Sequence, residues 1–116
     1  MCSSDLGDIK KPGVVEPAAD RTPVVAFASL LKLWRVTLAD LDKVTAPIRM
    51  YRSVEDHVVD PSSARLLKQR ATNTTVEEIL LENSYHVATM DNDAPTIFAG
   101  SVEFLRSLTP STEPTL

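Results

Sequence analysis

The chain has 116 residues, enough for one small domain, and its 43% hydrophobic and 24% charged residues are typical of a folded protein rather than a disordered one. Its formal net charge of -4, with lysines and arginines scattered singly, argues against nucleic acid as a partner. The longest apolar stretch, Val24–Ala28, with Leu30 and Leu31 beyond Ser29, is far shorter than the ~20 residues of a membrane span. Cys2 is the only cysteine, which excludes an internal disulfide.

The first 21 residues are polar and form no periodic pattern. Pro12, Gly13 and Pro17 interrupt any regular element, so residues 1–21 are predicted to be a disordered linker. They contain no apolar core of a secretory signal, and the single cysteine suits a reducing compartment. The sequence therefore predicts a cytoplasmic location.

Residues 22–46 are predicted to form two helices. Thr22 is a good N-cap and Pro23 suits the first helical position, so the first helix is expected to run to about Trp34. A second, shorter helix is expected to begin at Thr37. The apolar face of the first helix, at helical spacing, comprises Phe27, Leu30, Leu31 and Trp34.

Residues 47–108 alternate strand and helix in the order that builds a parallel sheet. The expected elements are a strand at 48–52, a helix at 62–71, a strand at 76–81, and an amphipathic helix capped by Asp93. Two strands cannot form a stable open sheet by themselves, so this α/β segment is expected to be one edge of a larger domain. Residues 109–116, with two prolines, are predicted to be a disordered tail.

The loops after the two predicted strands hold a candidate acid and base. Asp56 lies four residues past the first strand, and His86 lies five residues past the second. Loops that follow parallel strands leave the sheet at one edge, where neighbouring strands are ~4.8 Å apart, so an Asp56–His86 hydrogen bond is within reach. Such a carboxylate fixes the imidazole tautomer, and the second ring nitrogen can take a proton from a nucleophile. The alternative is that Asp56 and His86 are ordinary polar loop residues without a catalytic role.

The residues around this pair resemble two motifs of bacterial α/β-hydrolases. Val44-Thr45-Ala46-Pro47-Ile48, followed by Ser53–Pro61, is similar to the strand and acid loop of the carboxylesterase and monoacylglycerol-lipase-like (serine-aminopeptidase-like) group. Glu82–Asp91 is similar to the histidine loop of that group, although Tyr85 stands where the group often has glycine. Arg49 also departs from the pattern, because the group's strand is usually apolar there.

The resemblance implies the C-terminal portion of an α/β-hydrolase fold, a βαβα unit of the parallel sheet preceded by lid-derived helices. It implies a carboxylic ester hydrolase without metal or cofactor, in which Asp56 is the catalytic acid and His86 the catalytic base. The nucleophile is absent from this chain, because no serine is framed as Gly-x-Ser-x-Gly, and the chain alone is expected to be inactive. Three lid residues, Phe27, Leu31 and Trp34, are expected to line an apolar acyl-chain pocket. The alternative is that they serve only in packing.

Several functions stay open at this point. The first is hydrolysis of a small-molecule ester with an apolar acyl chain. The second is a non-catalytic α/β module that binds a partner chain through its exposed sheet edge, a surface that would also support oligomers. The third is other chemistry on the same fold, such as that of a peptidase, thioesterase, dehalogenase or acyltransferase. A metal site at His57 with Glu55 and Asp60 is disfavoured, because two histidines without a cysteine cluster are a poor ligand set.

Overall fold

The computed structural model describes residues 7–17, 21 and 23–109. Single 3-10 turns follow the first helix and precede the last one. The order of strands and helices after residue 47 agrees with the predicted alternation and confirms the α/β class. The elements are α1 (Val24–Asp40), β1 (Ile48–Ser53), α2 (Ser62–Arg70), β2 (Val76–Leu81) and α3 (Ala94–Leu108).

β1 and β2 pair in parallel, with α2 as the crossover between them. The register runs from Ile48 opposite Val76 to Ser53 opposite Leu81. Ser53 and Leu81 are both buried, and the Val54 N–H donates to the Leu81 carbonyl at 2.9 Å, which extends the ladder by one bond. The two following loops therefore leave the sheet side by side.

Arg49, the departure from the expected apolar strand, attaches α3 to the sheet. Its Nε donates to the carboxylate of Glu77, the residue opposite in register, at 2.8 Å. Its Nη1 donates to the Gly100 carbonyl of α3 at 2.9 Å, and the guanidinium lies over the Phe104 ring. Glycine suits position 100 because a Cβ there would overlap the Tyr51 hydroxyl. A charged side chain thus takes the place of an apolar contact between β1 and α3.

The prediction of two separate helices before the sheet is wrong. α1 is continuous from Val24 to Asp40, and only the 3-10 turn at Leu41–Lys43 follows it. The residues between Trp34 and Thr37 include neither glycine nor proline, so nothing interrupts the backbone hydrogen bonds there. The N-cap predicted at position 22 lies outside the described residues.

Much of the apolar surface of the helices is exposed. α1 buries none of its side chains, and α3 buries only Ile97. Apolar patches of this kind commonly mark surfaces that contact other protein segments, which is consistent with the prediction of one edge of a larger domain. None of the helices in the described part of the chain is long and apolar enough to cross a membrane. The exposed apolar side chains of α3 are Phe98, Val102, Leu105 and Leu108.

Candidate active site

Asp56 is held in place by its own loop after β1. Its Oδ1 accepts the N–H groups of Val58 and Val59, at 2.9 and 2.8 Å, in the manner of an Asx turn. Burial raises the pKa of this carboxyl, but hydrogen bonds from Val59, His86 and Val58 outweigh it, so the pKa lies below the ordinary 3.8. Asp56 is therefore ionised at neutral pH, and its second oxygen remains for the imidazole.

The structure brings the two predicted site residues together. His86 Nδ1 lies 3.0 Å from Asp56 Oδ2, with the carboxylate side chain 13% and the imidazole 36% exposed. A carboxylate on Nδ1 places the ring proton there, so Nε2 carries the lone pair. This arrangement can accept a proton from a neighbouring hydroxyl and stabilise the imidazolium that results.

Buried polar groups hold the histidine loop. Asp91 is almost fully buried, and its carboxylate accepts the N–H of Tyr85 at 3.0 Å and that of Asn92 at 2.7 Å. The Ser53 hydroxyl, at the end of β1, donates to the Tyr85 carbonyl at 2.6 Å. The residue directly before His86 is thus fixed through both its N–H and its carbonyl.

Asp93 occupies the N-cap position of α3, yet its side chain does not cap the helix. The prediction of a side-chain cap is wrong, because the carboxylate turns back to the histidine loop. It accepts the Asn83 N–H and the Ser84 hydroxyl, both at 2.9 Å, while the Ser84 oxygen accepts the Asp93 N–H at 2.9 Å. Ser84 is 1% exposed, and its hydroxyl both donates and accepts a hydrogen bond within this network, so its role is structural.

Asp8 is a site residue that sequence reasoning missed. It lies in the segment predicted to be a linker, yet it is 9% exposed and accepts three hydrogen bonds from the two loops. Its Oδ2 accepts the N–H groups of His57 at 3.1 Å and His86 at 3.0 Å, and its Oδ1 lies 2.7 Å from His57 Nδ1. A lone aspartate in a polar stretch shows no pattern from which these partners could have been predicted.

An open cavity of about 620 Å³ lies beside His86. Phe27, Leu31 and Trp34, the predicted acyl-pocket residues, are not among its lining residues, and all three are exposed on α1. Trp34 instead lines a separate cavity, together with Ser63 and Leu66 of α2. Within the described ranges, no cluster of three or more His, Cys, Asp or Glu side chains is placed to hold a metal ion. The cavity is lined by Glu16, Tyr51, Val58, His86, Val87, Ala88, Thr89 and Ile97.

The Asp8–His57 pair predicts a pH-dependent contribution to stability. The hydrogen bond to Asp8 is the main cause that raises the pKa of His57 above 6.5, with the charges of Asp8 and Glu55 adding to it. Burial raises the pKa of Asp8, but its bonds from His57 and His86 prevail and hold that pKa below 3.8. The contribution of Asp8 is present above pH 3.8 and falls as pH drops through its lowered pKa. The contribution of His57 is full below pH 6.5 and falls as pH rises through its raised pKa.

We therefore expect His57→Gln to lower the free energy of unfolding most between about pH 4 and pH 6.5. At about pH 9 the difference in unfolding free energy between the two proteins should be smaller. Urea unfolding of both proteins across this range measures the difference. A difference that stays constant with pH would show that the imidazolium form contributes nothing.

Two lipolytic proteins are similar to most of this chain. No protein-family profile matches the chain. Over 97 residues the chain is 42% identical to a thermostable monoacylglycerol lipase of Bacillus sp. (strain H-257), a match that covers 84% of this chain and 39% of the lipase. A solved structure from work on LipS and LipT, two metagenome-derived lipolytic enzymes, matches with a TM-score of 0.79 and 40% identity, covering 86% of this chain and 41% of that one. The chain thus spans about two fifths of the length of each relative.

The parallel β1–α2–β2–α3 unit is accordingly part of an α/β-hydrolase fold, because the structural likeness to a lipolytic enzyme extends over most of the chain. Within that class, the chain is similar to two lipolytic enzymes, in agreement with the resemblance of its two loops to the carboxylesterase and monoacylglycerol-lipase-like group. Lipolytic enzymes are ester hydrolases, so both relatives belong to that class of enzyme.

Proposed function

We propose that this chain supplies the acid and the base of a Ser–His–Asp carboxylic ester hydrolase. The observation that carries the proposal is the 3.0 Å contact between His86 Nδ1 and Asp56 Oδ2 at the carboxyl edge of a parallel sheet. Asp56 orients His86 and balances its positive charge, and His86 acts through Nε2 as the general base. The lowered pKa of Asp56 supports this role, because the carboxylate stays charged at the pH of the reaction.

The proposed reaction has two halves. A serine from outside these 116 residues attacks the ester carbonyl while His86 Nε2 takes its proton. The proton then passes to the departing alcohol oxygen as the carbon–oxygen bond breaks, which leaves an acyl-serine. Water, deprotonated by the same imidazole, attacks the acyl-serine, and the serine recovers its proton as the carboxylic acid leaves.

The proposed substrate is a small-molecule ester with an apolar acyl chain. The cavity beside His86 supports this choice, because four of its eight lining residues have aliphatic side chains: Val58, Val87, Ala88 and Ile97. The matched Bacillus protein is named a monoacylglycerol lipase, which agrees with such a substrate. A role for Phe27, Leu31 and Trp34 in acyl binding also stays a proposal, in which residues 22–46 belong to a lid and residues 47–108 to the hydrolase core. A cytoplasmic location remains a proposal from the sequence.

The exposed apolar faces of α1 and α3 favour a second candidate, a non-catalytic module that binds a partner chain. In that case the Asp56–His86 bond would only brace two loops. The two candidates differ in whether a serine elsewhere in the protein becomes reactive when His86 is present.

Labelling with a fluorophosphonate separates them. In this proposal, the chain is the C-terminal part of a longer, full-length protein. We expect the full-length protein to hydrolyse nitrophenyl esters and to be labelled on one serine outside the sequence of this chain. The reason is that no serine here has glycine neighbours in the required spacing. The 116-residue chain alone is expected to show neither turnover nor labelling. Peptide mapping of the label gives the position. A label on a serine within this chain contradicts the assignment of the nucleophile, and a full-length protein without turnover or labelling favours the binding module.

A further inference from the structure

Asp8 joins the acid loop to the histidine loop through backbone bonds. One oxygen, Oδ2, accepts the N–H of His57, the residue after Asp56, and the N–H of His86 itself. The carboxylate therefore bonds to main-chain groups of both loops that carry the proposed acid–base pair, without contacting the Asp56 carboxylate or the His86 ring. Because one oxygen accepts both bonds, a shift of either loop would lengthen a bond to a nearly buried charge, which is costly.

The segment that carries Asp8 is itself anchored. The Val87 N–H donates to the Asp8 carbonyl at 3.1 Å, so residue 8 contacts the histidine loop through its main chain as well. The buried carboxylate of Asp91 accepts the N–H of Lys10 at 2.5 Å and that of Lys11 at 2.9 Å. The position of the Asp8 carboxylate is thus set by groups that belong to the histidine loop and its continuation.

His57 completes the connection on the acid-loop side. Its Nδ1 lies 2.7 Å from Asp8 Oδ1, its Nε2 lies 3.4 Å from Glu55 Oε1, and its ring packs edge-on against Tyr85 at 4.8 Å. The acid loop is therefore bound to Asp8 through both a backbone and a side-chain group. Hydrogen bonds to a charged acceptor are about twice as strong as neutral ones, so Asp8 is a suitable brace between the loops.

We propose that Asp8 is a positioning residue, which holds the acid and histidine loops at the separation that the Asp56–His86 hydrogen bond requires. The proposal rests on the proposed function. Groups that orient a metal-bound imidazole commonly contribute about 10- to 100-fold to activity. We expect an effect of the same size from a carboxylate that holds the loop of His86 against the acid loop.

The test uses the full-length protein and three variants. Asp8→Ala removes both carboxylate oxygens, and we expect kcat for a nitrophenyl ester to fall about 10- to 100-fold with a smaller change in KM. Asp8→Asn retains an oxygen that can accept both N–H groups and is expected to recover most of the lost kcat. Asp60→Ala is the matched control, because it removes a carboxylate from the same acid loop, one that accepts the Ser62 N–H at 2.8 Å. This variant is expected to retain kcat within about twofold.

A spectroscopic measurement separates positioning from a general loss of stability. The proton between His86 Nδ1 and Asp56 should give a downfield proton resonance, assigned by its loss in His86→Ala. We expect Asp8→Ala to shift or abolish this resonance at a temperature where circular dichroism shows the protein folded, and we expect the Asp60→Ala protein to retain it. If the Asp8→Ala protein does not fold, Asp8→Ser serves instead, because one short hydroxyl cannot replace both carboxylate oxygens.

A folded Asp8→Ala or Asp8→Ser protein with unchanged kcat and an unchanged resonance overturns the proposal. So does an equal loss in Asp60→Ala, since the effect would then not be specific to the bridge between the loops. Failure of the proposed function looks different: His86→Ala would retain ester turnover whatever the Asp8 variants do.

Discussion

Replacement of His86 by alanine in the full-length protein is expected to lower kcat for ester hydrolysis by about 10⁴- to 10⁶-fold. The imidazole is the group that would take the serine proton and return it to the leaving alcohol, and its Nδ1 already bonds to Asp56 at 3.0 Å. Without it the serine stays protonated, so both ester turnover and fluorophosphonate labelling should fall. KM should change much less than kcat, because the lost interaction belongs to the transition state.

Steady-state kinetics with a nitrophenyl ester measure this effect. Asn83→Ala is the matched control, because it changes an exposed side chain in the same loop, while its main-chain bonds to Asp93 and Asn92 remain available. We expect this control to stay within about twofold of the unaltered protein. A His86→Ala rate within about tenfold of the parent rate would remove His86 from the mechanism.

The second large effect is expected for Asp56→Asn, with a fall in kcat of about 10⁴-fold near neutral pH. The reason follows from the loop around Asp56. The N–H groups of Val58 and Val59 both donate to Oδ1, so the asparagine oxygen should take that position and its NH₂ group the position of Oδ2. The NH₂ would then donate to His86 Nδ1 and force the ring proton onto Nε2, where it blocks proton transfer from the serine.

The position of the proton on the His86 ring can be measured independently of kcat. Nitrogen NMR of the His86 ring should show the proton on Nδ1 in the parent and on Nε2 in the Asp56→Asn protein. Asp60→Asn makes the same chemical change in the same loop and should leave both kcat and the tautomer as they are in the parent. An Asp56→Asn protein with parental kcat would mean that the Asp56–His86 bond is structural.

Four aspartates around the site have different hydrogen-bonding roles. Asp56 uses one oxygen for its own loop and one for His86, whereas the other three accept backbone N–H groups. Asp93 also accepts the buried Ser84 hydroxyl, and Asp8 also pairs with the His57 ring. Asp8 joins the two loops, Asp91 anchors the segment that carries Asp8, and Asp93 holds the start of the histidine loop. A framework of mostly part-buried hydrogen bonds therefore holds the exposed imidazole of His86 in its orientation without covering it.

The sequence by itself determined the alternating order of strands and helices, both end residues of β2, and the closeness of Asp56 and His86. These features follow from short-range patterns, because strand periodicity is local and the geometry of parallel strands sends successive loops to one edge. The tertiary structure alone decided that α1 continues to Asp40, that the Asp93 side chain turns away from its helix, and that Asp8 joins the site. Asp8 is 49 residues from His57 and 78 from His86, and no local pattern records which distant N–H groups a carboxylate will meet once burial removes water from it.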